Sequence, residues 1–349
     1  MTPSGGGAAT GVAVLRRIAQ SLVTLLLATL LVHASVVLVP GDPIRAIWGP
    51  TRPPPRALAD IRQRYHLDDP YPVQYAAWLT DVATGDLGIS YPRAARGAAV
   101  IAEGTPVAAT IAAAAPVSLR LLAVTVVAQL VVGVVAGAGG VAAARTVGRD
   151  TTPTAGSVTG ASGAALRRLD GIVYLGAVVA TAAPAILLAY LGQVVFGHRL
   201  HWLPVQGVHQ GWVSYILPTV AVAAASTGYV ALVTRRVLAD VLREPFTVAA
   251  AARGIPEHRL IAVHGLRPAL APILTLATAN LGVLVASQII VEGVFAVPGI
   301  GSLLFDAIQR HDMPLLVPTV TLVIALIIVT NLATDILAVV ADPRLRDGR

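Results

Sequence analysis

The sequence predicts an all-α membrane protein of six transmembrane helices, with an interfacial segment on the outer side after the first. Three observations carry that prediction. Hydrophobic residues make up 56% of the chain and charged residues only 12%, against roughly 25% charged in a soluble domain. Six apolar runs match or exceed the roughly 20 residues that a helix needs to cross a hydrocarbon core. Arg, Pro or polar clusters bound those runs.

In chain order the runs lie at residues 13–39, 118–144, 171–196, 215–233, 269–291 and 317–340. The first carries Arg16 and Arg17 near its start and resembles a signal peptide, but it is too long. It also ends in Pro40-Gly41-Asp42-Pro43 in place of a small-residue cleavage site, so it reads as retained. All 25 basic residues are Arg. With the N-terminus inside, the inner segments hold 15 of them, and the outer ones hold Arg199, Arg310 and seven in the long stretch 40–105. Positive charge on short inner loops orients a membrane protein, and a long outer loop translocates with little regard to charge. Both termini are therefore expected in the cytoplasm. This also accounts for the net charge of +7 without nucleic acid, since no basic patch interleaves with aromatics.

The division that follows is a cytoplasmic N-terminus and first helix at 1–39, an external interfacial segment at 40–105, a transmembrane core at 106–341 and a cytoplasmic tail at 342–349. Trp48, Tyr65, Tyr71, Tyr75, Trp78 and Tyr91 in the external segment suit short helices at the outer interface. Residues 145–168 are rich in Thr, Ser, Gly and Ala, read as a floppy cytoplasmic insertion.

With no Cys and no Lys, the chain has no thiolate and no Walker lysine, so it is no P-loop ATPase. No catalytic residues, metal site or cofactor are expected. Ionisable residues in or near the spans are few: His33, Arg120, Asp170, Glu292 and Asp335. His33 reads as hydrogen-bonded between helices, Arg120 and Glu292 as close enough to the interface to snorkel, and Asp335 as capping or pairing inside the bundle. Proton-coupled or ion-coupled transport asks for more than this. Energy is expected from another chain.

The inner segment 237–268 has a legible design. Residues 235–243 carry the fourth span out as a basic helix that Pro245 breaks. Residues 246–253 form a short Ala-rich helix, Gly254 supplies a left-handed stop, and Pro256 opens another helix in its first turn. Such a helix-turn-helix either docks a partner or lies on the membrane as an amphipathic loop.

The wording of this segment resembles the EAA loop of ABC importer permeases of the dipeptide, oligopeptide and nickel group, which typically read YVRTARAKG and then HALRNALLP. Here residues 246–254 read FTVAAAARG and residues 264–272 read HGLRPALAP. Arg253 stands for the usual Lys and Pro268 for the usual Asn, and the basic residues usual at Val248 and Ala251 are missing. The resemblance extends over nearly the whole chain. Residues 40–43 look like the family's PGDP, Leu67-Asp68-Asp69-Pro70 and Gly85-Asp86-Leu87-Gly88 like its LGLDxP and GDLG. Val291-Glu292-Gly293-Val294-Phe295 and Pro298-Gly299-Ile300-Gly301 look like its EtVFxxPGxG, and Asp342-Pro343-Arg344 like its closing DPR.

The resemblance implies the type I ABC importer permease fold and a plasma-membrane subunit without an ATPase site of its own. It implies as partners a second homologous permease, one or two cytoplasmic ABC ATPase subunits that bind the ATP, an extracellular substrate-binding lipoprotein and membrane lipid. By similarity, Phe246, Ala250, Arg253, Gly254, Ile255, Glu257, His264, Leu266 and Arg267 couple to the ATPase. Glu292, Phe295, Pro298, Gly299, Gly301, Asp42 and Asp86 serve an external gate or meet the binding protein, the glycines of residues 298–301 allowing a tight bend; a plain tight turn is the alternative. Thr278, Asn280, Ser287 and Gln288 line the substrate path, or serve helix packing. Di- and oligopeptides are the expected cargo. Nickel or a metal chelate is the alternative, to which His198, His201 and His209 in one outer loop would contribute. The competing classes are an ATP-independent secondary transporter and a structural subunit of another membrane complex.

Overall fold

The computed structural model describes residues 5–38, 44, 55–90, 105–149, 171, 174–179, 181–310 and 312–341. Helices dominate: α1 (Gly5–Leu38), α2 (Pro55–Arg64), α3 (Tyr71–Thr84), α4 (Val107–Arg149), α5 (Ala185–Gly192), α6 (Ile216–Val241) and α7 (Pro245–Ala252). They continue as α8 (Glu257–Thr278), α9 (Leu281–Phe295), α10 (Ile300–Arg310) and α11 (Met313–Ala341). Among the described residues, four helices are long and apolar enough to cross a membrane, and two bent pairs raise the number to six. One of those pairs is α9 with α10, which meet at 63°.

Three spans differ from their sequence-based bounds, each for a local reason. The second does not begin after Pro116 but eleven residues earlier than expected, at Val107, because the Ala-rich stretch before Pro116 is itself strongly helix-forming. Its far end continues through Arg149, so the supposed floppy insertion starts as helix; residues 150–168 lie outside the described residues. The third is broken at Ala183-Pro184, where Pro184 has extended backbone (φ −60°, ψ 135°) and α5 restarts directly after it. The fifth is not one helix over 269–291. It enters from the loop at Glu257, stops at Thr278, and resumes as α9 after Asn280. The Thr275 and Thr278 hydroxyls there donate to carbonyls of their own helix, at 3.0 and 2.9 Å, a competition that weakens helical propagation.

The most extensive packing is α4 on α6. Gly133 and Gly137 of α4 bring the helices close, a Cβ at Gly133 standing 2.7 Å from Val230 and one at Gly137 2.7 Å from Thr234. α1 lies at the periphery against α11, where Arg17 pairs with Asp335 at 2.8 Å. Asp335 thus pairs across two helices, but at the exposed edge and not inside the bundle as expected.

The external segment lays α3 against α1. Tyr71, Tyr75 and Trp78 surround the His33 ring with centroids at 5.6, 5.7 and 5.3 Å. The Thr29 hydroxyl and Tyr75 phenol are 2.8 Å apart, and both donate to the Leu26 carbonyl at 3.0 Å. His33 Nδ1 has no hydrogen-bond partner, so aromatic packing replaces the hydrogen bond expected of it. α3 leads through residues 85–88 into a two-residue antiparallel ladder, Ile89–Ser90 (β1) with Thr105–Pro106 (β2), which hands the chain to α4. Ser90 Oγ donates to Asp312 Oδ2, tying β1 to the start of α11.

Candidate functional site

Two constructions at opposite ends of α4 gather most of the residues singled out by the sequence: a loop between α6 and α8, and an elbow between α9 and α10.

The loop is built as its composition dictates. α6 ends at Val241, and Pro245 begins α7, where its missing N–H costs nothing. Thr247 is fully buried, and its hydroxyl reaches the Glu244 and Val241 carbonyls at 2.7 and 2.9 Å, pinning α7 to the end of α6. Ala250 packs beneath with Leu238, Leu242 and Leu260. Gly254 turns the chain with φ +80°, and no heavy atom lies within 4 Å of where its Cβ would stand. Glycine is required there for its backbone and not for space. Pro256 does not open the next helix from within: with ψ 146° it precedes it as the cap, and α8 begins at Glu257. Residues Leu260–Gly265 continue as a π-helical stretch, a form frequent at functional sites.

Exposure divides the proposed coupling set. Phe246, Arg253, Gly254 and Arg267 face solvent, with Phe246 at 51%. Val248, where the family pattern has a basic residue, is 55% exposed on the other side of the buried Thr247. Ala250 is buried, Ile255 and Leu266 are half-buried against the cluster below, and His264 is half-buried, 3.4 Å from the Arg259 carbonyl. These four anchor the loop and do not present it. Glu257 turns the other way and pairs with Arg145 of α4 at 3.2 Å.

The elbow is centred on Glu292, which is fully buried and not at the interface as the sequence suggested. It stays buried because donors converge on it. Ser118 Oγ and the Gly301 amide each donate to Oε2 at 2.8 Å, and Gln288 Nε2 donates to Oε1 at 2.7 Å. Gln288 Nε2 also donates to the Ser118 carbonyl at 2.7 Å, and the Ile300 amide to Ser118 Oγ at 2.8 Å. Two amides at the start of α10, otherwise without helical partners, are thus satisfied by side chains of α4 and α9. The glycines of residues 298–301 are not where the backbone turns left-handed; Ala296 is, at φ +49°. Gly299 instead leaves room for the Glu292 carboxylate and Ser118 hydroxyl, and Gly301 for the Ile289 backbone.

Phe295 is buried with Leu217, Val222 and Val291, so it belongs to the core beneath the elbow. Its carbonyl accepts from the Gly207 amide at 2.8 Å, and Gln193 Nε2 donates to the Val294 and Val205 carbonyls at 3.0 Å each. Of the proposed gate set, Pro298 is exposed, and Asp42 lies outside the described residues. Asp86 stands apart: it accepts from the Gly88 amide at 3.0 Å and from Arg64 at 3.1 Å on both oxygens. The Gly88 amide, with the Arg64 guanidinium, holds its carboxyl below the usual aspartate range.

The proposed pathway set divides too. Gln288 is buried in the elbow, whereas Thr278, Asn280 and Ser287 are half-buried. Ser118, Arg145, Gln193 and Thr247 were not singled out by sequence. A buried glutamate in an apolar run asks for a partner, a signal that the reading of Glu292 as interfacial passed over. Among the described residues, no group of three or more His, Asp or Glu is placed to hold a metal ion.

A family described as "Binding-protein-dependent transport system inner membrane component" matches residues 153–347, and its N-terminal counterpart matches residues 12–122. The "Probable peptide ABC transporter permease protein y4tP" of Sinorhizobium fredii is 30% identical over 343 residues, covering 96% of this chain and 99% of its own. The "Glutathione transport system permease protein GsiC" of Salmonella typhimurium is 33% identical over 333 residues, covering 95% and 98%.

Proposed function

This chain belongs to the binding-protein-dependent transport system inner membrane components and is a permease subunit of an ABC importer, and from that premise we propose how it works. It forms half of a pathway for small peptides, a cargo class that takes in the peptide and glutathione systems of its relatives. The other half is a second, homologous permease. One or two cytoplasmic ATPase subunits bind and hydrolyse the ATP, and an extracellular binding protein delivers the cargo. The loop at 237–268 and both termini face the cytoplasm.

The observation that carries this reading is the pair of exposed apolar side chains on α7. Phe246 and Val248 are more than half exposed on a short helix that Thr247 and Ala250 fix rigidly to α6. In water such side chains gain by being covered. A rigid mount is what a docking element needs to turn a partner's closure into movement of the spans. The elbow, by similarity the external gate, holds its angle through Glu292.

The test is uptake of labelled di- and tripeptides into proteoliposomes holding this chain, its companion permease and its ATPase subunits, with binding protein supplied. Uptake that needs ATP and both partners, and that vanadate stops, is the expected result. Uptake by this chain under an ion gradient, indifferent to vanadate, would contradict it and support a secondary transporter.

A further inference from the structure

We propose that α4 is the mechanical link between the docking loop and the elbow, with Arg145 and Ser118 as its two positioning residues; this rests on the reading that the loop docks an ATPase. Near one end of α4, Arg145 Nε holds Glu257 Oε1 at 3.2 Å. Glu257 is the first residue of α8, directly behind the Gly254 turn and its Pro256 cap. A displacement of the turn therefore pulls on Arg145. Toward the other end, Ser118 donates to Glu292, accepts from the first amide of α10, and offers its own carbonyl to Gln288. A displacement of α4 along its axis therefore bears on both arms of the elbow.

Between Ser118 and Arg145 the helix is continuous and contains no proline, its one internal proline being Pro116. At about 1.5 Å per residue the two side chains are about 40 Å apart along the axis. Two other routes run from loop to elbow: the chain itself, through α8 into α9, is interrupted at Ala279-Asn280, and α6, which packs under Phe295 through Leu217 and Val222, is bent by 50°. An unbroken helix transmits an axial shift; a two-residue break absorbs it. The close contact of Gly133 and Gly137 with α6 keeps α4 from bowing along the way.

The test is a charge exchange in the full reconstituted complex, read as peptide moved per ATP hydrolysed. Arg145→Glu and Glu257→Arg should each lower that ratio on the order of tenfold, the scale of a typical coupling between sites. The double exchange should restore it to within about twofold, a rescue that loss of folding would not give. Ser118→Ala, at the far end, should lower the same ratio. Should the single variants fail to assemble, the double exchange and Ser118→Ala still decide. An unchanged ratio in Arg145→Glu or in Ser118→Ala, or a double exchange no better than the single variants, overturns the link. A wild-type complex without ATP-driven uptake would instead sink the reading on which it rests.

Discussion

The Ser118 hydroxyl donates to Glu292 Oε2 and accepts from the Ile300 amide, both at 2.8 Å, so one side chain of α4 fastens α9 and α10 at their 63° elbow. The two residues are separated by 174 positions in the chain. Their pairing helps explain how the Glu292 carboxyl group stays fully buried in an apolar bundle: donors from Ser118, Gln288 and Gly301 are aimed at it.

Glu292→Ala should leave the Gly301 amide, the Ser118 hydroxyl and one Gln288 proton without an acceptor. Buried unsatisfied groups cost about 1–3 kcal/mol each, so the purified permease should melt several degrees lower. Glu292→Gln should be destabilising as well, because its amide protons would face donors. Differential scanning of the detergent-solubilised complex measures both, and a wild-type melting point in either variant would contradict the assignment.

Two glycines should respond differently to alanine. Gly301→Ala drives a Cβ into the Ile289 backbone, which has nowhere to go; overpacking of this kind costs about 1–3 kcal/mol and should open the elbow. Gly254→Ala meets open space, and only its φ of +80° resists, at about 1 kcal/mol. Proteolysis should therefore find Gly301→Ala broadly loosened and Gly254→Ala altered in the loop alone.

Asp86 supplies a pH dependence with a definite sign. Its folded carboxyl titrates below the ordinary value of 3.8, through the Gly88 amide and Arg64. A depressed carboxyl contributes stability that is present above the unfolded pKa and is lost as pH falls through the folded one. Amides of α2, α3 and β1 should therefore exchange faster once pH drops below 3.8, and Asp86→Asn should show that loosening already at neutral pH. Equal protection in the variant and the wild type at neutral pH would count against it.

The docking loop was legible in the sequence because local chemistry determines it. Pro245 can only begin a helix, Gly254 alone among its neighbours tolerates φ +80°, and both act within a few residues. The spans were legible from hydropathy, but not their interruptions: Ala183-Pro184 and Ala279-Asn280 sit inside runs that remain apolar on average. The elbow was not legible. Glu292 reads as an interfacial carboxylate until Ser118 and Gln288 are seen around it, and pairing across helices leaves no periodic trace in a chain where small apolar residues stand on every face. Arg145 shows the same limit, counting only as an inner charge until Glu257 is found beside it.

The most direct test uses the absence of cysteine from the chain. Phe246→Cys and, as control, Trp212→Cys in the loop before α6 place single thiols at two exposed sites. Membranes holding each variant with its ATPase subunits are treated with a short bifunctional cross-linker. The account predicts that Phe246→Cys joins the ATPase subunit and that Trp212→Cys does not. An ATPase subunit captured by Trp212→Cys, or left free by Phe246→Cys in a complex that hydrolyses ATP, would contradict the placement of the docking surface.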